Sequence, residues 1–206
     1  MAYTVLSQDT GTSNCGFSVA RYTRNSITFL EIGQIVSTIR NLTDDTQYIN
    51  PTKKERADAK KKGIHVFRKE DKKSNPAFHE SFPRYYSIID DLRVSYKVSD
   101  VIAERFQTRG NGGPLIELVS TMNGALVSNA YAHNVTYRLI TASQWKNQVN
   151  KYNDLEALYL YTHSLGYTPH ETDATLIGLY QAAYRGVLDF VQGIALWKKA
   201  VEKYMG

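Results

Sequence analysis

The chain opens with Tyr3-Thr-Val-Leu-Ser-Gln-Asp9-Thr-Gly-Thr-Ser-Asn14, and this stretch decides the fold. Its first part is an apolar strand pattern, and its second part is rich in Gly and small polar residues, which favour a turn. Asp9 therefore stands where a buried strand ends. A carboxylate in that place indicates a charged site, although an acid that only satisfies the backbone of Thr10 to Ser13 gives the same pattern.

Three further residues have the chemistry to join Asp9. Glu104 ends a second apolar run that begins at Val98, whereas His170 and Asp173 lie three residues apart at the start of an apolar helical pattern and share a helix face. Carboxylates at a buried edge repel one another unless a cation lies between them, and oxygen ligands suit Mg²⁺ or Mn²⁺. The four residues therefore predict a metal site for two-metal phosphodiester chemistry.

Each of these partners of Asp9 also has a simpler explanation. Glu104 is close enough in sequence to Arg105 and Arg109 to form an ion pair. Asp173 suits the positive end of a helix dipole, and His170 suits a partly exposed helix start. Only the arrangement in space separates these explanations from a metal site.

The composition is that of one domain. The 206 residues are enough for a single well-buried α/β core and too few for two ordinary domains, so one domain spanning 1–206 is expected. The single cysteine, Cys15, excludes an internal disulfide and a cysteine-cluster zinc site, and its place in a strand pattern indicates a packed thiol. No apolar run is long enough to span a membrane and no signal segment is recognisable, so we expect a cytoplasmic protein.

Positive charge is concentrated in one segment. The chain has 25 Lys and Arg against 20 Asp and Glu, a formal net charge of +5. Residues 51–75 alone hold ten Lys and Arg against four acids, a net charge of +6. The segment is poor in apolar residues, so we expect 41–81 to be a basic surface insertion, either solvated or in contact with phosphate. Its candidate DNA contacts are Lys60, Lys61 and Lys62.

The periodicity of apolar residues predicts strands first and helices later. Three strand-like runs, 3–8, 15–22 and 26–37, indicate an antiparallel meander. A helix over 82–96 leads to a strand over 98–103, and a long helix beginning at Pro114 precedes a strand over 135–141. Four further helical patterns follow: 144–149 with Ser143 as its cap, 154–163 ended by Gly166, one from a capping box at Thr168 with Pro169 at its first position, and 187–204.

Four motifs connect this order of elements to a known family. They are Gln8-Asp9-Thr-Gly-Thr-Ser-Asn-Cys-Gly-Phe17, Ala103-Glu104-Arg-Phe106, Ile140-Thr-Ala-Ser-Gln-Trp-Lys146 and His170-Glu-Thr-Asp173-Ala174. In order along the chain, they resemble the opening Asp-Pro-Gly segment, the acid-ending strand, the lysine segment and the His-x-x-Asp-Ala helix start of RuvC-type Holliday junction resolvases. Thr10 stands where that family has proline, and the long 41–82 segment and the helix beyond Gly186 depart from its pattern.

The resemblance implies a ribonuclease H-like α/β fold. This is a mixed five-stranded sheet, with three antiparallel strands and then parallel ones, flanked by helices and extended by the 41–81 insertion and an additional C-terminal helix in 187–206. It also implies a Mg²⁺-dependent endonuclease with two ions, for which Mn²⁺ substitutes, acting on branched DNA such as four-way junctions in the cytoplasm of a bacterium or a phage-infected cell. Paired nicking favours a homodimer, and the helix from Pro114 is a candidate for its interface.

Each candidate residue has a role under this resemblance. Asp9 bridges the two ions, Glu104 binds one and Asp173 the other, while His170 binds metal or acts on the attacking water. Lys146 approaches the scissile phosphate, unless it is a solvated helix lysine. The loop after the second acid-ending strand offers DNA contacts, with an aromatic that either stacks on an unpaired base or packs in the core. These DNA-binding candidates are Arg105, Phe106, Gln107, Arg109 and Asn111, together with Lys146.

Two other functions remain open from the sequence. The same site on a different substrate gives a ribonuclease H-like nuclease acting on RNA or on flaps. The run Asp9-Thr-Gly-Thr-Ser also looks like a phosphate-binding turn of the actin-like ATPase superfamily, so a non-catalytic scaffold is the alternative of a different class. Glu104 and the His170/Asp173 pair argue against the scaffold, which has no need for them.

Overall fold

The computed structural model describes residues 2–10, 14–36, 48–49, 78–105 and 114–206. Six strands form one sheet, in the order β4-β3-β2-β1-β5-β6. Their bounds are β1 Tyr3–Asp9, β2 Asn14–Thr23, β3 Ser26–Val36, β4 Tyr48–Ile49, β5 Asp100–Glu104 and β6 Thr136–Ile140.

The sheet is mixed, as predicted. The strands β1, β2 and β3 pair antiparallel as a meander, while β5 pairs parallel with β1 and β6 pairs parallel with β5. The five predicted strands are therefore confirmed, and the two-residue β4 adds a sixth by pairing with Gln34 and Ile35 at the outer edge of β3. This arrangement is the ribonuclease H-like fold.

Six helices of the described residues cover the two faces of the sheet. They are α1 Phe78–Ser95, α2 Pro114–Ala132, α3 Ala142–Tyr152, α4 Leu155–Ser164, α5 Pro169–Tyr184 and α6 Phe190–Met205. Successive residues of a strand point to opposite faces, so β1 contributes to two cores. Leu6 packs in a core with residues of α1 and α2, whereas Val5 packs in a larger core with residues of α3 to α6. None of these helices combines the length and the apolar character needed to cross a bilayer.

The predicted helix caps are confirmed at two helices and wrong at a third. Asp154 caps α4, and Thr168 forms a capping box with Glu171 at the start of α5. Ser143, however, lies inside α3 and does not cap it. Thr141 is the cap, because its side chain accepts a hydrogen bond from the backbone N–H of Gln144 at the third helical position. The side chain of Gln144 in turn accepts from the backbone N–H of Thr141, which completes a capping box.

The last helix begins three residues later than predicted. Gly186 ends α5 with a positive φ of 71°, and the backbone N–H of Val187 donates to the carbonyl of Ala182. This is the closing bond of a Schellman motif, so the chain up to Val187 belongs to the end of α5. The helix α6 starts at Phe190 instead, with Asp189 as its cap.

Cys15 is a packed thiol, as the sequence indicated. It lies in β2, is 2% exposed, and its Sγ is 3.3 Å from the hydroxyl of Tyr85 on α1. It contributes to the core and lies on the opposite face of the sheet from α5.

Candidate active site

The parallel pairing of β1 and β5 brings the first two acids together. Gln8 pairs with Ala103, and the next residue of each strand is an acid, Asp9 on β1 and Glu104 on β5. The carboxyl ends of neighbouring parallel strands meet at one edge of a sheet, which is where ligands bind in open α/β folds. Both acids are partly buried, so the two strand ends form the floor of a site.

The start of α5 is seated on the sheet beside Asp9. Asp9 pairs with Gly16 across β1 and β2, and a Cβ atom built at Gly16 would overlap the backbone carbonyl of His170. A glycine is therefore required for the helix to approach this closely. The approach places Nδ1 of His170 2.6 Å from Oδ2 of Asp9.

A helix residue holds Glu104. Its Oε2 accepts a hydrogen bond of 2.7 Å from Nε1 of Trp145, which lies in α3. Within the described residues Glu104 makes no ion pair with Arg105, whose side chain is exposed and whose backbone N–H donates to Ile140. The simpler explanation of Glu104 as the ion-pair partner of Arg105 is therefore wrong, whereas Arg109, the other proposed partner, lies outside the described residues.

Two side chains hold Asp173 from the helices α3 and α4. The hydroxyl of Tyr159 on α4 donates to Oδ1 of Asp173. Nζ of Lys146 on α3 lies 3.4 Å from Oδ2, and the lysine side chain is 35% exposed. Lys146 therefore faces the acids with its ammonium group, which remains reachable from solvent.

Glu104 and Asp173 lie in an electrostatic environment that disfavours their charged forms. Burial raises the pKa of Glu104 from 4.5 to about 6, the Trp145 hydrogen bond opposes the rise, and the charges of Asp9 and Asp173 add to it. Burial also raises the pKa of Asp173 from 3.8 to about 6, with a further contribution from Asp9. The hydrogen bond to Asp9 raises the pKa of His170 above its usual 6.5.

The carboxylate and imidazole side chains of the site are of the kinds that bind a divalent cation, although they do not converge on a single point where one ion could sit. No group of three or more His, Cys, Asp or Glu side chains in the described ranges is arranged closely enough to hold a metal ion. Each acid is held instead by a protein donor, His170, Trp145 or Tyr159. The charge of Asp9 raises the pKa of Glu104 and of Asp173, so the three carboxylates lie near one another. Carboxylates are the ligands that Mg²⁺ prefers, and a cation among them would remove the repulsion.

The structure thus unites five of the predicted site residues and leaves the rest untested. Asp9, Glu104, His170, Asp173 and Lys146 lie around one end of β1 and β5. Arg105 follows Glu104 directly and is exposed at that same end. The other predicted DNA contacts lie outside the described residues: Lys60, Lys61, Lys62, Phe106, Gln107, Arg109 and Asn111.

Sequence reasoning missed two residues that contact the acids. In the sequence, Trp145 stands out only as the neighbour of Lys146, and Tyr159 is one of 15 tyrosines. Each is polar at one atom only, and periodicity assigns such aromatic residues to the core. The one available signal was position, because Trp145 follows closely after the strand beside Glu104 and precedes Lys146.

The pKa of Asp173 predicts that this acid destabilises the metal-free protein at neutral pH. Its folded-state pKa of about 6 exceeds the usual value of 3.8, so folding favours the protonated form. The penalty is absent below about pH 4, grows as the pH rises to about 6, and is complete above that. Asp173→Asn is therefore expected to raise the free energy of unfolding by about 1–2 kcal/mol at pH 8, and by much less at pH 4.

Urea unfolding in EDTA at both pH values measures this difference. Asp90→Asn is the matched control, because Asp90 pairs with Arg93 on the surface of α1 and its loss should not stabilise the protein. An Asp173→Asn protein that is less stable than the wild type at pH 8 would contradict the assignment of Asp173 to a site that disfavours its ionised form.

The fold is shared with two solved structures of RuvC. The chain is similar to RuvC of Thermus thermophilus, with a TM-score of 0.56 and 15% identity over 89% of this chain and 97% of that one. The same enzyme in complex with a Holliday junction substrate gives a TM-score of 0.59 and 15% identity, covering 89% of this chain and 94% of that one. The yeast mitochondrial Holliday junction resolvase Ydc2 gives a TM-score of 0.44 and 14% identity, covering 98% and 81%.

No family model matches the chain, and no curated protein matches it in sequence. At this level of identity the structural likeness establishes the fold, and the chain has the fold of a RuvC-type resolvase.

Proposed function

We propose that this protein is a metal-dependent endonuclease that cuts branched DNA, with four-way junctions as its main substrate. The observation that carries the proposal is the cluster at the ends of β1 and β5, where Asp9, Glu104 and Asp173 meet with His170 and Lys146. A RuvC structure of the same fold was solved with a Holliday junction substrate, which supports this class of substrate.

The three carboxylates are the proposed ligands of two Mg²⁺ ions, or of Mn²⁺ in their place. The charge of Asp9 raises the pKa of both Glu104 and Asp173, so Asp9 is near both acids and is the proposed bridge. Bound ions would supply an activated water and would stabilise the charge on the leaving oxygen.

His170 is the proposed base that acts on the attacking water. Its Nδ1 is engaged by Asp9, which fixes the orientation of the ring and leaves Nε2 without a hydrogen bond among the described residues. Asp9 also stabilises the imidazolium that forms when Nε2 accepts a proton. A carboxylate–imidazole pair of this kind positions the ring and strengthens it as a base.

Lys146 is the proposed group that offsets phosphate charge. Asp173 holds its ammonium group at the site from 3.4 Å, and the remaining N–H donors are free to face a phosphoryl oxygen. Extra negative charge develops on that oxygen as the phosphodiester is attacked, so a fixed cation favours the transition state over the ground state.

The basic segment is the proposed second contact with DNA. Neutralising Lys60, Lys61 and Lys62 together is expected to weaken junction binding and to lower the slope of log affinity against log salt by about 2.7, or about 0.9 for each lost phosphate contact. Fluorescence titrations at several salt concentrations measure the slope. The control is neutralisation of Lys198, Lys199 and Lys203 on α6, which removes the same charge. An equal change in the slope for both triple variants would show that the basic segment acts only through the net charge of the protein and not through its own phosphate contacts.

A cleavage assay on synthetic substrates tests the proposed function. With Mg²⁺ or Mn²⁺, we expect paired nicks in opposite strands of a four-way junction, little cleavage of linear duplex, and no cleavage in EDTA. Faster cutting of an RNA–DNA hybrid or of a flap would support the ribonuclease H-like alternative. Failure to cut any nucleic acid with either metal would reject the nuclease function and leave the scaffold.

Paired nicking also requires two active sites on one junction, so we propose that the protein acts as a homodimer. Sedimentation of the protein with and without a junction measures the stoichiometry. A single copy of the protein that binds a junction and makes both nicks would contradict the dimer.

A further inference from the structure

Trp145 occupies an unusual position for a core tryptophan. Its ring is fully buried among apolar residues that include Val149 and Ile140, yet its one polar atom points at the predicted active site. There Nε1 donates the 2.7 Å hydrogen bond to Oε2 of Glu104. A buried indole N–H donates a hydrogen bond and cannot accept one, so the atom that it contacts here must act as an acceptor, as an ionised carboxylate oxygen does.

The second tryptophan shows that the fold does not require this bond. Trp197 on α6 is as fully buried as Trp145, but its Nε1 has no hydrogen-bond partner among the described residues. Burial of a tryptophan ring in this core therefore occurs without a partner for the N–H. The bond between Trp145 and Glu104 is a feature of the site.

The backbone ties Trp145 to the strand that carries Glu104. Glu104 pairs with Ile140 in the parallel ladder of β5 and β6, and Thr141 immediately caps α3. The indole thus reaches Glu104 from a helix whose start is set by the same two strands. Lys146, the next residue of α3, contacts Asp173, so this helix contacts two of the three acids, Glu104 and Asp173.

Glu104 would be poorly placed without this donor. A glutamate has three side-chain torsions, and the charges of Asp9 and Asp173 repel its carboxylate from the site. The indole holds Oε2, which leaves Oε1 as the oxygen without a hydrogen bond among the described residues. The held carboxylate therefore presents one defined oxygen.

We propose that Trp145 is a positioning residue that holds Glu104 in place as a metal ligand, so that its loss weakens metal binding and leaves the fold intact. This inference rests on the proposed function, because it requires that the site binds a divalent cation. Groups that hydrogen-bond to ligating side chains set ligand orientation, and their removal reduces metal affinity by about 10- to 100-fold.

The experiment compares Trp145→Phe with Trp197→Phe in the full chain. Both changes remove an indole from a fully buried position, but only the first removes a hydrogen bond. Calorimetric titration with Mn²⁺ reports binding without any need for activity. We expect Trp145→Phe to raise the Kd for Mn²⁺ by about 10- to 100-fold and Trp197→Phe to leave it unchanged. Equal Kd values for the two variants would overturn the proposal.

Fluorescence gives a second measurement that does not require the Trp145→Phe protein to fold. The chain has two tryptophans, so the Trp197→Phe variant retains Trp145 as its sole indole fluorophore. Saturating Mg²⁺ should change its emission as Glu104 takes up the ion, and adding Glu104→Gln should abolish that response. An emission that saturating Mg²⁺ leaves unchanged would overturn the proposal.

The outcomes separate the proposed function from the proposed role of Trp145. A wild-type chain that binds neither Mn²⁺ nor Mg²⁺ overturns the proposed function and the role of Trp145 with it. A wild-type chain that binds metal, together with a folded Trp145→Phe variant of equal affinity, overturns the role of Trp145 alone.

Discussion

Asp9→Asn is expected to reduce junction cleavage by about 100- to 1,000-fold, the scale at which loss of one group that stabilises transition-state charge lowers kcat. Asp9 is the acid that contacts His170 and whose charge raises the pKa of Glu104 and Asp173. Asparagine has the same shape, and its amide oxygen still faces the imidazole, so the fold is preserved. The change removes the bridging charge and the carboxylate that stabilises an imidazolium at His170.

Junction binding by the Asp9→Asn protein is expected to be unchanged or tighter. The site holds three carboxylates that repel phosphate when no metal is present, and the substitution removes one negative charge. Single-turnover cleavage in Mg²⁺ and fluorescence binding in EDTA separate the two effects.

Asp90→Asn provides the matched control for both measurements. Asp90 lies on α1, where it pairs with Arg93, and the same chemical change there should leave the rate near that of the wild type. An Asp9→Asn protein that cuts at nearly the wild-type rate would end the assignment of this edge of the sheet as a metal-dependent nuclease site.

Gly16→Ala is expected to damage both stability and cleavage, although Gly16 has no side chain to contribute. The added Cβ would overlap the carbonyl of His170 and lie 2.9 Å from the backbone nitrogen of Glu171. Neither backbone group can rotate away as a flexible side chain would, so the start of α5 must move off the sheet. Overpacking of this kind costs about 1–3 kcal/mol.

The shift would also separate His170 and Asp173 from Asp9. A displacement of about 1 Å in a catalytic group reduces the rate by about 100-fold, so cleavage should fall by at least this factor in the protein that remains folded. Urea unfolding and single-turnover cleavage measure the two losses.

Gly124→Ala is the control for the glycine substitution. Gly124 lies in α2, and a Cβ there would meet nothing within 4 Å, so alanine should stabilise the helix by about 0.5–1 kcal/mol and leave cleavage unchanged. A Gly16→Ala protein as stable and as active as Gly124→Ala would show that the close seating of α5 on β2 is not needed.

Local patterns were enough to predict most of the elements. The capping box from Thr168 to Glu171 and the first-position Pro169 place the start of α5 through contacts among four neighbouring residues. Asp154 caps α4 in the same way. The sequence was less decisive where two neighbouring residues could both cap a helix. At α3 the cap is Thr141 and not Ser143, because Thr141 and Gln144 form a capping box with two hydrogen bonds.

The same distinction applies to the start of α6. Its apolar periodicity continues back to Val187, but Asp189 has an extended backbone and its side chain accepts a hydrogen bond from the N–H of Gln192, so the helix begins after Asp189. Apolar periodicity does not record where a cap begins the helix, so it predicts the boundary three residues early.

By itself, the sequence determined the order of strands and helices and the position of Asp9, Glu104, His170 and Asp173 at their ends. These follow from periodicity, turn residues and caps, which act over a few neighbouring residues. Only the tertiary structure decided what holds the acids. The bond from Trp145 to Glu104 joins residues 41 apart, and the seating of His170 on Gly16 joins α5 to a strand formed much earlier in the chain. Such contacts depend on strand register and helix packing, which bring distant residues together and leave no periodic signal in either segment.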